Sequence, residues 1–222
     1  MSTISFLWSK YTNLFDYTLT KTGPVFGEQT NLVYRIATET GARYGEIKKM
    51  TVLSFSFHAR PCFIRLSASD SKGKEGANLI LLDDTAAKIK TFLTGKAATE
   101  RAFNLPHNSQ AAPIIRKDLA DAGVAFRSDA GEDVDFHSLR VTFITNLFLA
   151  GVPAATVQKL ARHKDIATTL RYCKIPPGPE VAAIQKLRDL TVTCQNDAQL
   201  KTSVDNSGMK NSVDVPEIAL SA

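Results

Sequence analysis

The sequence predicts a mostly α-helical domain with one small antiparallel β-sheet, an α+β fold class. Between residues 29 and 40, apolar side chains recur every three or four positions, as on the buried face of an amphipathic helix. Residues 51–82 differ, because apolar and polar residues alternate in VLSFSF and CFIRLSAS, and NLILL is a short apolar run. From Asp83 onward the helical spacing returns. Helices before and after three short strands therefore define the class.

The remaining elements follow from the same patterns. Residues 1–28 interleave aromatic residues with threonines and are expected to form a short helix or a hairpin. A second helical run carries Ile47 and Met50 on one side. The turn between the second and third strands is SKGKEG, and residues 123–134 are expected to form a polar loop or a loose hairpin. Further helices are predicted over residues 83–93 (capped by Asp83 or Asp84), 112–122, 136–150, 153–162 and 165–172.

Composition divides the chain into four parts. Residues 1–28 are a short N-terminal segment, and residues 29–175 are the main domain. A stiff PPGP linker opens residues 176–192, which also contain a predicted helix with an apolar face over residues 180–190. Residues 193–222 are polar enough to be expected to stay disordered.

Composition and charge exclude several protein classes. The 222 residues are 44% hydrophobic and 22% charged, which excludes a wholly disordered chain, a collagen-like repeat and a disulfide mini-protein. Cys62, Cys173 and Cys194 show no short paired spacing, so no zinc module is predicted and a reducing cytoplasm fits best. No apolar run approaches the ~18–20 residues of a membrane span, and no signal peptide is recognised. The net charge of +5 favours a polyanionic partner.

The HSLR motif places a histidine and an arginine together. His137 and Arg140 are three residues apart on a predicted helix, so both side chains project from one face. Such a pair suits an oxyanion, since the guanidinium donates a planar fork to phosphate oxygens and the imidazole handles a proton. The ordinary interpretation of HxxR alone is a surface helix with a polar face.

The TGARYGE motif lies between two predicted helices. Arg43 and Glu46 share a helix face, and Gly41 permits a close approach of another group to the backbone. Glu46 could fix a neighbouring basic side chain. A helix-capping turn with a surface ion pair is the preferred interpretation of this motif when it is taken alone.

Two further patterns carry groups that could react. Lys72 and Lys74 stand at the tip of the predicted hairpin, where a mobile ammonium could donate a proton to a leaving oxygen or could simply be solvated. In ARHKDIATTLRYCK, His163 ends one predicted helix and Tyr172 follows nine residues later. A tyrosine hydroxyl becomes a nucleophile only when a base and positive charge stabilise the phenolate, so a packing role is the alternative.

Each pattern is weak alone, but their order is specific. An arginine in TGxRxxE, a lysine in a hairpin turn, HxLR, and a histidine in LARH with a tyrosine nine residues later follow the ordered signature of tyrosine recombinases. Residues 32–175 resemble the catalytic domain of phage-type integrases, with LARH in place of the commoner LGH. The resemblance covers roughly two-thirds of the chain.

The resemblance implies a DNA-breaking reaction and a role for each matched residue. Arg43 and Arg140 would clamp the two non-bridging oxygens of the scissile phosphate. Tyr172 would attack phosphorus and form a 3′-phosphotyrosine bond. Lys72, preferred over Lys74, would protonate the departing 5′ oxygen.

The histidines and the glutamate complete the implied site. His137 would take or return the proton of the nucleophile, and His163 would hydrogen-bond a phosphate oxygen. Glu46 would orient a histidine or an arginine from behind. No metal or other cofactor is expected, because the arginines supply the positive charge and no acidic cluster or His/Cys spacing suits a metal.

The sequence departs from the family pattern at several positions. Val141 stands where histidine is common, Cys173 stands where threonine or serine follows the nucleophile, and NLILL lacks the usual proline. Length is the largest departure, since family members usually carry an N-terminal helical domain that closes around DNA, and residues 1–28 do not suggest one. A truncated element, a minimal recombinase or a fragment of a longer reading frame is therefore expected.

The resemblance makes a site-specific DNA recombinase or integrase the leading hypothesis. Its core reaction would be type IB topoisomerase-like nicking and closing of double-stranded DNA. The expected location is the cytoplasm, at the bacterial nucleoid. The alternative is a catalytically weak DNA-binding remnant that occupies sites or modulates a full-length recombinase. A third hypothesis is a helical protein-interaction module. The family also implies self-association as a tetramer on DNA, with the helix over residues 180–190 packing on a neighbouring subunit or on its own domain. No membrane partner is expected.

Overall fold

The described part of the chain contains eight α-helices and three short strands. The structure, a computed structural model, describes residues 13–19, 27–69, 76–125, 127 and 133–173. Residues 13–19 form α1. The other elements, in chain order, are α2 (Glu28–Thr40), α3 (Tyr44–Lys49), β1 (Phe55–Ser56), β2 (Phe63–Leu66), β3 (Ala77–Ile80), α4 (Asp83–Phe92), α5 (Ala111–Asp121), α6 (His137–Leu149), α7 (Ala154–Ala161) and α8 (Ile166–Leu170). The predicted mostly helical α+β class is confirmed.

Several predicted elements lie outside the described residues. These are most of the N-terminal segment, the SKGKEG turn, the linker with the helix over 180–190, and the tail over 193–222. The loop over 123–134 is described only in part, with an isolated bridge between Arg127 and Asp133. Within the described part, Cys62 and Cys173 are free thiols, and no group of side chains is arranged to hold a metal ion. None of the described helices has the length and apolar composition of a membrane span.

Helix α2 is central to the core. It packs against α6 and α4, and Leu32 and Ile36 are almost completely buried. The buried Tyr34 hydroxyl of α2 donates to the Asp118 carboxylate of α5 over 2.7 Å. Because an unpaired buried polar group costs about 1–3 kcal/mol, this bond fixes the position of α5 against α2.

The sheet is antiparallel in the order β1-β2-β3. Phe63 pairs with Ile80 and Leu66 pairs with Ala77, so the register places Ile64 towards the core. Alternation of buried and exposed residues along β2 follows from the two-residue period of a strand. The predicted strand CFIRLSAS is thereby confirmed over residues 63–66, and NLILL over residues 78–80.

The first predicted strand is wrong over its first half. In VLSFSF, residues Val52–Ser54 form a turn of 3₁₀-helix and only Phe55–Ser56 pairs with β2. The amides of Val52 and Leu53 donate instead to the carbonyls of Glu100 and Ala98, far away in the sequence. Those bonds remove the donors that a longer β1 would need.

The predicted N-cap of α4 is also wrong. Leu82 occupies the N-cap position, and neither Asp83 nor Asp84 caps the helix with its side chain. The Asp84 carboxylate accepts a hydrogen bond from Lys88 over 2.8 Å. Both aspartates lie in the first turn, where their negative charge favours the positive end of the helix dipole.

Glycine is required at the end of α2 for two reasons. Gly41 has a φ of 65°, in the left-handed region that side chains disfavour. In addition, a Cβ atom there would lie 2.6 Å from the ring of Phe143 on α6, which is closer than real contacts allow. The close approach of α2 to α6 therefore depends on the absence of a side chain at residue 41.

We expect Gly41→Ala to lower the free energy of unfolding by about 2–4 kcal/mol, from backbone strain of about 1 kcal/mol and overpacking of about 1–3 kcal/mol. Gly123→Ala is the matched control, because Gly123 has a φ of 69° and open space where a Cβ atom would lie. It should cost only the strain, about 1 kcal/mol. Urea unfolding of both variants measures the difference, and equal losses would show that the contact with Phe143 contributes nothing.

Candidate active site

The turn between α2 and α3 carries an arginine fixed by a glutamate. Arg43 is the N-cap of α3 and Glu46 is the third residue of that helix. The Glu46 carboxylate accepts the Arg43 backbone N–H at Oε2 and the Arg43 Nη1–H at Oε1, both over 2.9 Å. Glu46 is buried, whereas the Arg43 side chain is 31% exposed. The guanidinium is thus held from its buried side and remains open to solvent on the other.

Helix α6 contributes an arginine that is fully enclosed. Arg140 is 2% exposed, and its guanidinium donates to the carbonyl oxygens of Gly41 and Ala161. Those carbonyls lie at the C-terminal ends of α2 and α7, where the helix dipoles are negative. Burial, together with the neighbouring guanidinium groups of Arg43 and Arg162, lowers the pKa of Arg140 to about 10. Arg140 therefore still carries its charge at neutral pH.

His137 opens α6 one turn before Arg140. His137 as a whole residue is exposed. Partial desolvation of its ring lowers the pKa of the imidazole, whereas the negative charge of Asp135 raises that pKa. The positive charges of Arg140 and Arg43 also lower this pKa. The imidazole therefore lies within the electrostatic reach of both guanidinium groups.

The segment from α7 to α8 carries the second histidine and the tyrosine. His163 is held by Gln158, which accepts the His163 backbone N–H and donates its side-chain amide to the His163 carbonyl, each over 3.1 Å. The His163 Nδ1 is 2.9 Å from the buried Thr169 hydroxyl. The rings of His163 and Tyr172 are stacked with their centroids 6.2 Å apart. Packing thus brings two residues that are nine positions apart to one place.

Electrostatic interactions link these groups in one cluster. Burial lowers the pKa of His163 to about 4, and the positive charges of Arg140 and Arg43 act in the same direction. Three guanidinium groups, from Arg43, Arg140 and Arg162, surround the single carboxylate of Glu46. The cluster therefore carries an excess of positive charge, which an anion would neutralise.

The structure gathers most of the residues that the motifs single out. Arg43, His137, Arg140, His163 and Tyr172 lie together, with Glu46 behind Arg43. Of the two alternatives for Glu46, a histidine or an arginine, the carboxylate contacts arginine. Lys72 and Lys74 lie outside the described residues.

The sequence patterns assign no role to Arg162, which the structure places in the same cluster. Its Nη2 donates to Glu46 Oε2 over 2.9 Å and to the Gly41 carbonyl over 3.3 Å. The signal in the sequence is the arginine that stands before His163 in LARH.

Comparison with known proteins identifies the family of this chain. The model of the phage integrase family matches residues 12–177. The chain belongs to the phage integrase family. Among curated proteins, this integrase-family chain is 29% identical over 141 residues to the tyrosine recombinase XerA of Saccharolobus solfataricus. The matched region covers 64% of this chain and 44% of that protein. It is 30% identical over 152 residues to a tyrosine recombinase of Pseudothermotoga lettingae, and the matched region covers 66% of this chain and 50% of that protein. The chain thus spans about half the length of these relatives.

Solved structures show the same fold. The crystal structure of XerA recombinase aligns with a TM-score of 0.61 at 16% identity, covering 83% of this chain and 62% of that one. The catalytic domain of bacteriophage HP1 integrase aligns with a TM-score of 0.57 at 19% identity, covering 80% and 90%. The integrase-family fold is therefore that of tyrosine recombinase catalytic domains.

The depressed pKa of His163 predicts a measurable titration. The ring signals of His163, followed by NMR, should titrate with a midpoint near pH 4 in the folded protein and near the ordinary value of about 6.5 in urea. The folded state therefore binds fewer protons between these two values, so this residue makes the free energy of unfolding rise with pH across that window. Arg43→Gln should raise the midpoint, because it removes one positive charge. A folded-state midpoint at or above 6.5 would contradict the assignment of a buried, cation-flanked ring.

Proposed function

We propose that this chain breaks and rejoins DNA strands through a covalent phosphotyrosine intermediate, as the catalytic part of a site-specific recombinase. The observation that carries the proposal is the cluster itself, in which Arg43 and Arg140 flank the stacked pair of His163 and Tyr172. An excess of buried positive charge beside a nucleophile suits a phosphodiester, whose reaction builds negative charge on phosphorus oxygens.

The two arginines bind the scissile phosphate in this proposal. Arg43 is partly exposed and keeps donors free beyond its bond to Glu46. Arg140 uses one hydrogen of each terminal nitrogen on a carbonyl, and each nitrogen retains a second hydrogen. The two guanidinium groups thereby stabilise the pentacoordinate transition state without a metal.

The covalent step is a displacement at phosphorus. The Tyr172 hydroxyl oxygen forms a bond to phosphorus, the bond from phosphorus to the 5′ oxygen breaks, and the 3′ phosphate stays on the tyrosine. His137 accepts the tyrosine proton, and its lowered pKa keeps the ring neutral and able to do so. When Thr169 donates to Nδ1 of His163, the neutral His163 ring carries its proton on Nε2 and can donate to a phosphate oxygen. Rejoining is the reverse reaction, with a 5′ hydroxyl as the nucleophile.

The departing 5′ oxygen needs a proton. We assign this role to Lys72, which belongs to the stretch of sequence that connects β2 and β3. Lys74 is the neighbouring alternative. A lysine can act here as a general acid because its ammonium carries a proton at neutral pH.

Double-stranded DNA is the proposed partner, with self-association of the chain on that DNA. Structural neighbours include XerH recombinase bound to its difH substrate in a pre-cleavage complex, which aligns with a TM-score of 0.61. The net charge of +5 supports attraction to a phosphate backbone. We place the catalytic domain within residues 29–175.

Covalent trapping tests the nucleophile. The chain is incubated with supercoiled plasmid carrying DNA from around its own gene and quenched with detergent, and protein joined to 3′ ends is measured. We expect the unaltered chain to form an adduct. With Tyr172→Phe the amount of adduct should fall by about 10³-fold or more, because no other hydroxyl replaces the nucleophile.

Tyr44→Phe is the matched control for trapping. Tyr44 is adjacent to Arg43, but its hydroxyl donates to the Pro106 carbonyl over 3.2 Å, so the adduct should persist. If the unaltered chain and both variants retard DNA at low salt and none forms an adduct, the enzymatic proposal fails and a DNA-binding remnant describes the chain better.

A modified leaving group distinguishes the two lysines. With an oxygen leaving group, Lys72→Ala should slow single-turnover cleavage about 10²–10⁴-fold, the range that general acid catalysis supplies. With a 5′-bridging sulfur, which leaves without protonation, the rate of Lys72→Ala should return to within about tenfold of the unaltered chain. Lys74→Ala is the matched control and should cleave both substrates normally. The reverse pattern would assign the role to Lys74.

A further inference from the structure

Arg162 occupies an unfavourable position. It has a φ of 57°, and it is the one non-glycine residue with positive φ in the described part of the chain. This conformation costs about 1–2 kcal/mol for a residue with a side chain. Its side chain is only 14% exposed, and its Nε and Nη1 atoms are buried without a hydrogen-bond partner. A glycine at residue 162 would avoid the backbone strain, the buried charge and both unpaired donors.

The contacts of Arg162 join two distant parts of the site. Its Nη2 donates to Oε2 of Glu46 and to the carbonyl of Gly41, so the loop after α7 is tied to the turn after α2. The Glu46 carboxylate then has both oxygens engaged, with Oε1 on the Arg43 guanidinium and Oε2 shared by the Arg43 amide and Arg162. Arg43 alone reaches both oxygens, and Arg162 adds a third hydrogen bond, from another part of the chain, that opposes rotation of the carboxylate away from Arg43.

We propose that Arg162 is a positioning residue that orients Arg43 through Glu46 and holds the His163 segment against the turn that carries Arg43. The proposal rests on the function proposed above. Arg162 is assigned to Glu46 rather than to a phosphate because its Nη2 makes an ion pair with that carboxylate, whereas the hydrogen bonds described for Arg140 go to backbone carbonyls. Its contribution therefore appears in the rate of cleavage more than in the affinity for DNA.

Cleavage kinetics provide the first test. Arg162→Gly should leave the thermal midpoint unchanged or higher, since it relieves strain and burial, and should change the DNA dissociation constant at low salt by less than about threefold. Single-turnover cleavage should fall about 10–100-fold, because misplacing a phosphate-binding group by a fraction of an ångström has effects of this size. Arg162→Lys, which keeps a charged donor, should recover part of the loss.

Lys164→Gln is the matched control for the loss of one positive charge. Lys164 is exposed, and the hydrogen bond it makes uses its backbone carbonyl. The variant should cleave at the rate of the unaltered chain. Normal cleavage by Arg162→Gly would overturn the proposal. A parallel fall of its thermal midpoint, DNA affinity and cleavage would also overturn it, because a purely structural role would then suffice.

A second readout needs no catalytic activity. In DNA-free protein, NMR exchange rates of the Arg43 guanidinium hydrogens report how firmly Glu46 holds them. Arg162→Gly should accelerate this exchange about tenfold, which corresponds to about 1.4 kcal/mol, and Glu46→Gln should accelerate it at least as much. Unchanged exchange in Arg162→Gly overturns the positioning role. If the unaltered chain forms no adduct, the proposed function fails while this measurement still decides the role of Arg162.

Discussion

The buried guanidinium of Arg140 holds the site together, because it joins the C-terminal ends of two helices. Its donors reach the carbonyls of Gly41 and Ala161, which end α2 and α7. The C-terminal end of a helix has unpaired carbonyls and a partial negative charge. A cationic donor there forms hydrogen bonds to the carbonyls and neutralises part of the charge. Arg162 adds a second guanidinium to the Gly41 carbonyl. This junction connects the turn that carries Arg43 to the end of the helix before the segment that carries Tyr172.

Periodicity in the sequence predicts most of the helices, because their buried faces repeat locally. It fails in VLSFSF, where the backbone donors of Val52 and Leu53 bond to residues near 100, and no local pattern contains that information. That Arg43, Arg140 and Tyr172 lie together could be predicted from the order of the motifs, and their catalytic roles stay predictions. The role of Arg162 could not, because it depends on a contact with Glu46 across 116 positions of sequence and on a backbone conformation that the letters LARH do not reveal.

In the free protein the site carries more positive than negative charge, and a bound anion would neutralise the excess. Three guanidinium groups face one carboxylate, and the resulting potential, added to burial, keeps His163 neutral far below the pH at which a free imidazole titrates. A phosphate placed between Arg43 and Arg140 would remove that repulsion. In the proposed reaction, the same positive charge would also offset the negative charge that builds on the phosphorus oxygens.

Gly41 and Arg162, both in the left-handed conformation, end the two helices that Arg140 joins. The two positions differ in whether a side chain is tolerated there. A side chain at Gly41 would collide with Phe143, so this position controls the packing of α2 on α6 and hence the stability of the whole fold. Arg162 instead carries a side chain at an energetic cost and uses it to hold Glu46. Stability and site geometry are therefore controlled by different residues at equivalent helix ends. Changes at Gly41 should lower stability and activity together, whereas changes at Arg162 should separate them.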